Sequence, residues 1–177
     1  TKLNCSYGIL TSLNLTGLSS LTELNCSSNF LTSLNLTNLP NLELLDCSRN
    51  NISSLDVTDL ANLLELTCAN AYIVDGQYSG QLSSLNVAGL TNLKKLNCNL
   101  NLLSSLDLTG LISLEELSCD GVPNNLGQLT SLNVNNLTNL RTLSCNFQQL
   151  TSLNVSNLVN LKSLQCAHNN INSLDLT

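Results

Sequence analysis

Eight cysteines and one histidine are the residues of this 177-residue chain that could carry nucleophilic or metal chemistry. A Cys–His nucleophile or a zinc site requires a histidine beside a thiol. The single histidine, His168, has Cys166 near it in sequence, but we expect that cysteine to face the protein interior. Glu115, Glu116 and Asp120 could offer paired carboxylates, yet the sequence indicates no enclosed cleft around them. We therefore predict no catalytic residue, no metal site and no cofactor.

The spacing of the cysteines indicates a repeat rather than a set of local disulfides. They stand at positions 5, 26, 47, 68, 98, 119, 145 and 166, which are 21, 21, 21, 30, 21, 26 and 21 residues apart, and no CxxC occurs. A period of about twenty residues is typical of a solenoid, whose coils bury their apolar faces against each other. Cysteines stacked on successive coils would have parallel Cβ vectors, which suit a disulfide poorly. We expect a ladder of buried, reduced thiols.

One complete coil runs from Leu21 to Leu39 and reads LTELNCSSNFLTSLNLTNL. Its pattern, LxxLxCxxNxLxxLxLxxL, resembles the leucine-rich repeat, LxxLxLxxNxL, and the resemblance covers essentially all 177 residues. Cysteine in place of the third leucine is similar to the internalin-J-like cysteine-ladder subtype of bacterial surface proteins. The resemblance implies a right-handed solenoid, or horseshoe, with a parallel β-sheet on its concave face. It also implies adhesion or host recognition.

The elements that position the cysteines follow from the alternation of apolar and polar residues. In Glu23–Ser27 the apolar residues alternate with polar ones, which predicts one short parallel strand per coil. The half-coil Ser33–Thr37 alternates in the same way and suits either a second short strand or an extended turn. About ten residues remain for the return path, too few for a full helix. We predict a mostly β solenoid of about eight coils, a single domain over 1–177, uncapped at both ends and cut from a longer protein.

Asparagine three residues after cysteine predicts a second internal ladder, because a buried amide must satisfy its donors and acceptor. The ladder positions with asparagine are Asn29, Asn50, Asn101 and Asn169. The same column holds Gly8, Ala71, Val122 and Gln148 in the other coils, where we expect interruptions.

Composition and charge favour a secreted scaffold. The chain is 42% hydrophobic, 10% charged and 3% aromatic, with a net charge of −6 and a pI of about 4.4. That charge argues against nucleic acid or an anionic membrane as a partner, and no apolar run could span a bilayer. Glu65, Lys95 and Glu116 would be lateral neighbours of alternating sign, which helps strand register slightly and indicates no ligand. We expect a secreted or cell-surface protein whose signal and anchor lie outside this sequence.

The two halves of each coil differ in how variable their outward positions are. The second half repeats serine, then Asn or Asp, then mostly threonine, whereas the cysteine half carries all six basic residues. The most diverse column stands two residues after cysteine and contains Tyr7, Ser28, Arg49, Asn70, Leu100, Gly121, Phe147 and His168. A surface position without a packing role is free to vary, so variation alone has a simple explanation. Aromatic residues and arginine, however, are favoured at interfaces. This column is a candidate recognition surface.

Two coils depart from the period, both just after the cysteine strand. The first adds nine residues within 71–81 and the second adds five within 122–128. Insertions on one edge of a solenoid often form its binding face, although drift in a tolerant surface loop would look the same. We expect Tyr72, Asp75, Tyr78, Leu100 and Phe147 to gather around one patch.

The sequence therefore predicts a non-catalytic, monomeric domain that binds a protein or a glycan through the cysteine-strand side and the inserted loops. The predicted binding residues are Tyr7, Arg49, Tyr72, Asp75, Tyr78, Leu100, Phe147 and His168. Two alternatives stay open. The regular Ser/Asn/Thr columns could bind ice or another lattice, or the solenoid could be a structural spacer between other domains.

Overall fold

The computed structural model of the chain describes residues 1–70, 73–74, 77–78, 82–123, 128–174 and 176, with only the backbone of 73–74 and 77–78. These ranges contain twelve short strands and no helix, hence none long and apolar enough to cross a membrane. In chain order the strands are β1 (Lys2–Asn4), β2 (Glu23–Asn25), β3 (Leu44–Asp46), β4 (Ser54–Asp56), β5 (Glu65–Thr67), β6 (Ile73–Val74), β7 (Gln77–Tyr78), β8 (Ser84–Asn86), β9 (Lys95–Asn97), β10 (Glu116–Ser118), β11 (Thr142–Ser144) and β12 (Ser163–Gln165).

Eight of these strands form one parallel sheet, in the order β1-β2-β3-β5-β9-β10-β11-β12. Equivalent residues of successive coils lie opposite each other, as Leu24 does with Leu45 and Leu45 with Leu66. Backbone pairing continues past the strand ends, since the N–H of Cys26 donates to the carbonyl of Asp46 at 2.9 Å. The prediction of a mostly β solenoid with one short parallel strand per coil is confirmed.

The second half of each coil is mainly an extended turn. Two coils form a strand there within the described residues, and these strands, β4 and β8, pair in parallel. The half-coil ends in an Asx turn, in which the side-chain Oδ1 of Asn14 accepts from the backbone N–H of Thr16 at 3.0 Å. The equivalent pairs are Asn35–Thr37, Asp56–Thr58, Asn86–Ala88, Asp107–Thr109, Asn133–Asn135 and Asn154–Ser156. Because the turn is held by its own side-chain to backbone hydrogen bond, the return path needs no helix to satisfy that backbone group.

The core consists of stacked leucine columns with the cysteine column beside them. Leu24 and Leu45 are 1% and 2% exposed. All eight cysteines are free thiols; Cys5 and Cys166 are half-buried and the other six are buried. Burial raises the pKa of the Cys26 thiol to about 12. A neutral thiol shielded from water packs as a small apolar side chain.

The predicted asparagine ladder is present, and Asn50 shows its geometry. Its Nδ2 donates to the carbonyls of Cys26 at 3.0 Å and Cys47 at 3.1 Å, while its Oδ1 accepts from the N–H of Leu31 at 3.0 Å. One side chain therefore bonds to its own coil and to the preceding one. Asn29, Asn101 and Asn169 make the equivalent bonds.

The interruption expected at Gln148 is wrong. Its Nε2 donates to the carbonyl of Cys119 at 2.7 Å and its Oε1 accepts from the N–H of Leu129 at 3.1 Å. Glutamine carries the same amide as asparagine on a side chain one methylene longer, so it can replace it. Of the other three expected interruptions, Gly8 is exposed and has no side chain, Val122 is buried, and Ala71 lies outside the described residues.

A further column of asparagines, six residues before five of the eight cysteines, was not predicted from the sequence. The Nδ2 of Asn62 donates to the carbonyl of Pro40, in the preceding coil, at 2.8 Å. The equivalent bonds join Asn41 to Ser19, Asn92 to Ala61, Asn139 to Ile112 and Asn160 to Thr138. These side chains are exposed, so amide bonds connect neighbouring coils both inside the solenoid and at its surface.

Candidate interaction surface

The diverse column two residues after each cysteine lies where the chain leaves the sheet. The N–H of Ser28 still donates to the carbonyl of Ser48 at 2.9 Å, and the backbone then turns away. Backbone φ is between 52° and 59° at six of the eight positions, Tyr7, Ser28, Arg49, Leu100, Phe147 and His168. This left-handed conformation costs an ordinary L-residue about 1–2 kcal/mol, and much less for glycine or asparagine. The column is therefore a strained turn at the edge of the sheet and not part of its face.

A second left-handed turn, nine residues before the next cysteine, occurs in four of the described coils and is filled differently. There φ is 83° at Gly17, 65° at Asn38, 79° at Gly89 and 87° at Gly110. Those are the residue types that tolerate the conformation. The chain thus uses relaxed residues at one left-handed turn and strained ones, mostly with large side chains, at the other.

Asn70 and Gly121 are the two members of the diverse column without a positive φ. They belong to the two coils that carry insertions. Asn70 is buried, and its Nδ2 donates to the carbonyl of Asn50 at 3.1 Å. Its Oδ1 is buried without a hydrogen-bond partner. The chain therefore leaves the sheet along a different path in the coils that lead into insertions.

The predicted site residues of this column differ in exposure. Tyr7 is 80% exposed, Arg49 and His168 are also exposed, and Leu100 and Phe147 are half-buried. The rings of Phe147 and His168 stack in parallel, with centroids 4.4 Å apart and an interplanar angle of 8°. The structure thus brings these two predicted residues into contact, whereas Tyr7 lies near the opposite end of the column.

The first insertion contains a β-hairpin, in which Ile73 of β6 lies opposite Tyr78 of β7 in an antiparallel pair. Tyr72 and Asp75 lie outside the described residues, and only the backbone of Tyr78 is described. The patch expected from these three residues with Leu100 and Phe147 stays a prediction.

Both insertions return to the solenoid at a ladder amide. The N–H of Leu82 donates to Oδ1 of Asn101 at 3.3 Å, and the N–H of Leu129 donates to Oε1 of Gln148 at 3.1 Å. Each insertion therefore begins after the strand and is fixed again at the next leucine of the core. Both insertions leave the solenoid at the edge that carries the diverse column.

Tyr72 is the one predicted site residue that lies four residues after a cysteine, and the other apolar residues of that column, at the same edge, were not predicted as part of the site. Ile9 is 84% exposed, Phe30 is 42% exposed and Leu102 is half-buried. They can be identified in the sequence because they are apolar residues at a position, two residues beyond the diverse column, that is not one of the recurring leucine positions of the repeat pattern LxxLxCxxNxLxxLxLxxL. They extend the apolar surface of the edge.

The sheet face carries paired charges, as the sequence predicts. Lys95 Nζ lies 3.9 Å from Glu65 Oε1 and 3.4 Å from Glu116 Oε1, and Lys2 Nζ lies 2.7 Å from Glu23 Oε1. These side chains are about half exposed or more in most cases, so each pair contributes at most about 1 kcal/mol.

The regular columns of the second half-coil are occupied by local hydrogen bonds. The hydroxyl of Thr37 donates to Asn35 Oδ1 at 2.8 Å, and that of Thr58 donates to Asp56 Oδ1 at 2.8 Å. The backbone N–H and then the hydroxyl of Thr58 lower the pKa of Asp56 below its usual value. These residues shape the turn, which accounts for their regularity.

Several side chains that could carry chemistry make other contacts. Cys166 packs partly against the core, and the ring of His168 stacks on Phe147. Arg141 Nε lies 3.4 Å from Glu115 Oε2. In the described ranges no three His, Cys, Asp or Glu side chains come together as a metal site would require. The edge presents both exposed apolar side chains and exposed amides.

No protein-family model matches the chain, and no curated protein matches it. Solved structures do. InlJ of Listeria monocytogenes, whose functional domain includes a cysteine ladder, has a TM-score of 0.88 and 32% sequence identity over 99% of this chain. A leucine-rich-repeat protein of Leptospira interrogans has a TM-score of 0.77 and 28% identity over 98% of it. The chain spans 36% and 44% of those structures. With its eight-stranded parallel sheet and buried cysteine column, the chain is an internalin-like leucine-rich-repeat solenoid of the cysteine-ladder kind.

Proposed function

We propose that this chain is a non-catalytic recognition domain of a bacterial surface or secreted protein. It binds a protein or a glycan in adhesion or in contact with a host cell. The binding residues are those of the edge, Tyr7, Arg49, Leu100, Phe147 and His168, together with Tyr72, Asp75 and Tyr78 of the first insertion.

The contrast between the two left-handed turns carries this proposal. Gly17 and Gly110 fill one turn without strain, whereas Arg49, Leu100 and Phe147 occupy the other at a cost. Glycine or asparagine at the strained turn would stabilise the fold. Large side chains kept at a strained, partly exposed position are best explained by a role outside folding, and aromatic residues and arginine are those that interfaces favour.

The likeness to InlJ and to a second leucine-rich-repeat protein supports a protein-interaction domain in general. Surface or secreted localisation and monomeric behaviour are further parts of the proposal. We also propose that residues 1–177 form a single solenoid domain.

The lattice-binding alternative is weaker than the sequence alone suggests. An ice- or crystal-binding face needs hydroxyl and amide groups free to contact the lattice. Here the Asn35 and Asp56 oxygens accept from the threonine two residues later, and the Asn154 oxygen accepts from Ser156. The spacer alternative predicts that no edge residue matters to any partner.

A pull-down from host-surface and extracellular-matrix extracts, combined with a glycan array, tests the proposal. The wild-type domain is compared with a variant carrying Tyr78→Ala and Phe147→Ala. We expect a ligand that the wild type retains and the variant loses. A matched control carries Thr37→Ala and Thr58→Ala on the opposite side of the coil and should bind normally. If the wild type retains nothing in either assay, the recognition role is wrong.

A further inference from the structure

A small cavity lies inside the solenoid at the point where the asparagine ladder is interrupted between Asn50 and Asn101. Both of these ladder residues line it, together with Cys47, Ile52 and Asn70. The volume open to the centre of a water molecule is about 10 Å³, which is close to what one buried water requires. The polar groups in the wall then decide what the cavity binds, because a cavity lined only by apolar groups stays dry.

Asn70 brings to this wall a polar atom that needs a donor. The residue is 4% exposed, and its Nδ2 donates to the carbonyl of Asn50 at 3.1 Å. Its Oδ1 is the one buried side-chain oxygen or nitrogen without a hydrogen-bond partner in the part of the chain that the structure describes. Burial of an amide oxygen without a donor is costly, so such atoms are nearly always bonded to protein or to ordered water.

The interruption also removes one ladder bond from each of two backbone groups. One coil earlier, Asn50 Oδ1 accepts from the N–H of Leu31 at 3.0 Å, and its Nδ2 donates to the carbonyl of Cys26 at 3.0 Å. The equivalent groups 21 residues later are the N–H of Ile52 and the carbonyl of Cys47. The ladder residue that would bond to them is an alanine, which has no amide. Both residues line the cavity, so a single molecule inside it can serve a backbone donor and a backbone acceptor.

We propose that this cavity binds one water molecule, which replaces the missing ladder amide. The water donates to Asn70 Oδ1 and to the carbonyl of Cys47, and it accepts from the N–H of Ile52. Three hydrogen bonds are typical of a buried water. The water joins two neighbouring coils, as each ladder asparagine does, and it holds the chain directly before the first insertion. The site does not depend on the proposed recognition function.

The surroundings of the cavity favour a neutral ligand. Cys47 and Cys68 line it, and burial raises the pKa of both thiols well above the ordinary value. A place that keeps a thiol protonated also disfavours a charged ligand, because both effects come from the loss of solvation. A metal ion would need more ligands than the oxygens of Asn70 and Cys47. Water is neutral, donates and accepts, and fits the volume.

Two other altered ladder positions need no such water. Gln148 carries an amide of its own, which donates to the carbonyl of Cys119 at 2.7 Å. Val122 is 1% exposed and is nearly as large as an asparagine, so an apolar side chain occupies that place. Alanine supplies neither an amide nor the volume. A water is therefore expected where the ladder residue is both small and apolar.

A high-resolution crystal structure of the domain, together with NMR of the isotope-labelled protein in solution, tests the proposal. We expect electron density for one oxygen atom at about 2.7–3.2 Å from Asn70 Oδ1. In solution, the amide proton of Ile52 should show a cross-relaxation signal with a long-lived bound water. Both measurements use the wild-type chain, so neither depends on a variant that folds.

Two variants should lose the water by different routes. Asn70→Leu replaces the amide with an apolar side chain of similar size and removes the acceptor. Cys68→Val places a bulkier side chain in the cavity wall while Asn70 is retained. The density and the NMR signal should disappear in both variants. Asn51→Leu is the matched control, because its side chain is exposed and outside the cavity wall, and it should keep both.

Several outcomes would overturn the proposal. Asn70 Oδ1 could be bonded directly to a protein donor in the crystal, or the site could be dry in both measurements. A peak with ligand distances of about 2.0–2.4 Å would identify a metal ion instead of water. Persistence of the water in Asn70→Leu, or its loss in Asn51→Leu, would show that Asn70 does not form the site. None of these results bears on the recognition function, since no partner is present in the measurement.

Discussion

Gln148 reaches across to Cys119 of the preceding coil and donates from Nε2 to its carbonyl oxygen at 2.7 Å. It thereby takes the place of the asparagine found in other coils. Cys119 begins the segment that leads into the second insertion, so the ladder is maintained beside an irregular loop. What the solenoid requires at this column is a primary amide, which offers donors and an acceptor together, and not asparagine as such.

Removal of one ladder amide should strongly destabilise the protein. Asn50→Ala leaves the N–H of Leu31 and the carbonyl of Cys26 buried without partners. We expect a loss of about 3 kcal/mol in the free energy of unfolding, measured by urea denaturation followed by circular dichroism. The neighbouring exposed Asn51→Ala is the control and should lose less than about 0.5 kcal/mol. Equal effects of the two changes would refute the role assigned to the ladder.

Relief of the strained turn should stabilise the protein. Arg49 is exposed with φ at 52°, a conformation that asparagine adopts more easily. Arg49→Asn should raise the free energy of unfolding by about 1 kcal/mol. The same substitution at exposed Lys94, where φ is not positive, should give no gain. A loss of stability at Arg49 would show that its side chain supports the fold and would weaken the argument for recognition.

The buried thiols should make the protein unstable in alkali. Burial raises the pKa of Cys26, Cys98 and Cys145 to about 12, from an ordinary value of 9.0, and raises those of Cys47, Cys68 and Cys119 well above it. Below pH 9 the thiols are protonated in both folded and unfolded chains, so their contribution to stability is constant. Between pH 9 and about 12 only the unfolded chain releases these protons. Each thiol should then remove up to about 1.4 kcal/mol per pH unit.

Urea denaturation at a series of pH values measures that slope. In Cys98→Ala the decrease of stability with pH above pH 9 should be smaller by the contribution of one thiol. The variant should also be less stable at neutral pH, because removal of the Sγ atom leaves a cavity in the core. A slope that is unchanged in this variant would mean that Cys98 does not titrate on unfolding as its burial predicts.

Thiol labelling should distinguish the buried cysteines from the half-buried ones. Cys5 and Cys166 are half-buried, whereas Cys68 and the other five are buried. Under native conditions at pH 8, iodoacetamide should modify Cys5 and Cys166 first, as read by mass spectrometry of the digested protein. The six others should react at rates set by unfolding, and rapidly in urea. Uniform labelling of all eight cysteines in the native state would contradict the buried ladder.

The charges of the sheet face should contribute little to stability. Lys95 is about half exposed and lies between Glu65 and Glu116. Lys95→Ser should cost less than about 1 kcal/mol, with an effect that diminishes as salt is added. A cost above about 2 kcal/mol in the urea experiment would mean that these ion pairs are needed to hold the sheet together.

The sequence is sufficient to predict the register of the fold. The cysteine period places Leu24 opposite Leu45, and both the buried amides and the ladder of charges around Lys95 follow from that alignment. Such features are predictable because they repeat with the coil. The sequence fails at Gln148, where a chemically equivalent side chain replaces the expected one, and at Asn62, whose bond to Pro40 depends on how neighbouring corners stack.

The site is less predictable than the fold. The sequence identifies the diverse column as variable but places it on the strand side, without the left-handed turn that moves Arg49 and Leu100 to the edge. Backbone φ at such a position is not encoded by those residue types, since neither favours it. It is imposed by the stacking of the coils, and local propensity is overridden. Ile9 and Phe30, by contrast, can be recognised from the sequence as apolar residues that stand outside the leucine positions of the repeat.

The amide bonds of Asn62 at the surface and Asn50 inside connect each coil only to its immediate neighbour. A duplication or deletion of one whole 21-residue unit would therefore leave every remaining bond with an equivalent partner. Chain length can change in evolution without redesign of the core, one coil at a time. Each added unit would lengthen the edge by about 4.8 Å. It would also add two variable positions, two and four residues after its cysteine, which selection could change independently of the other coils.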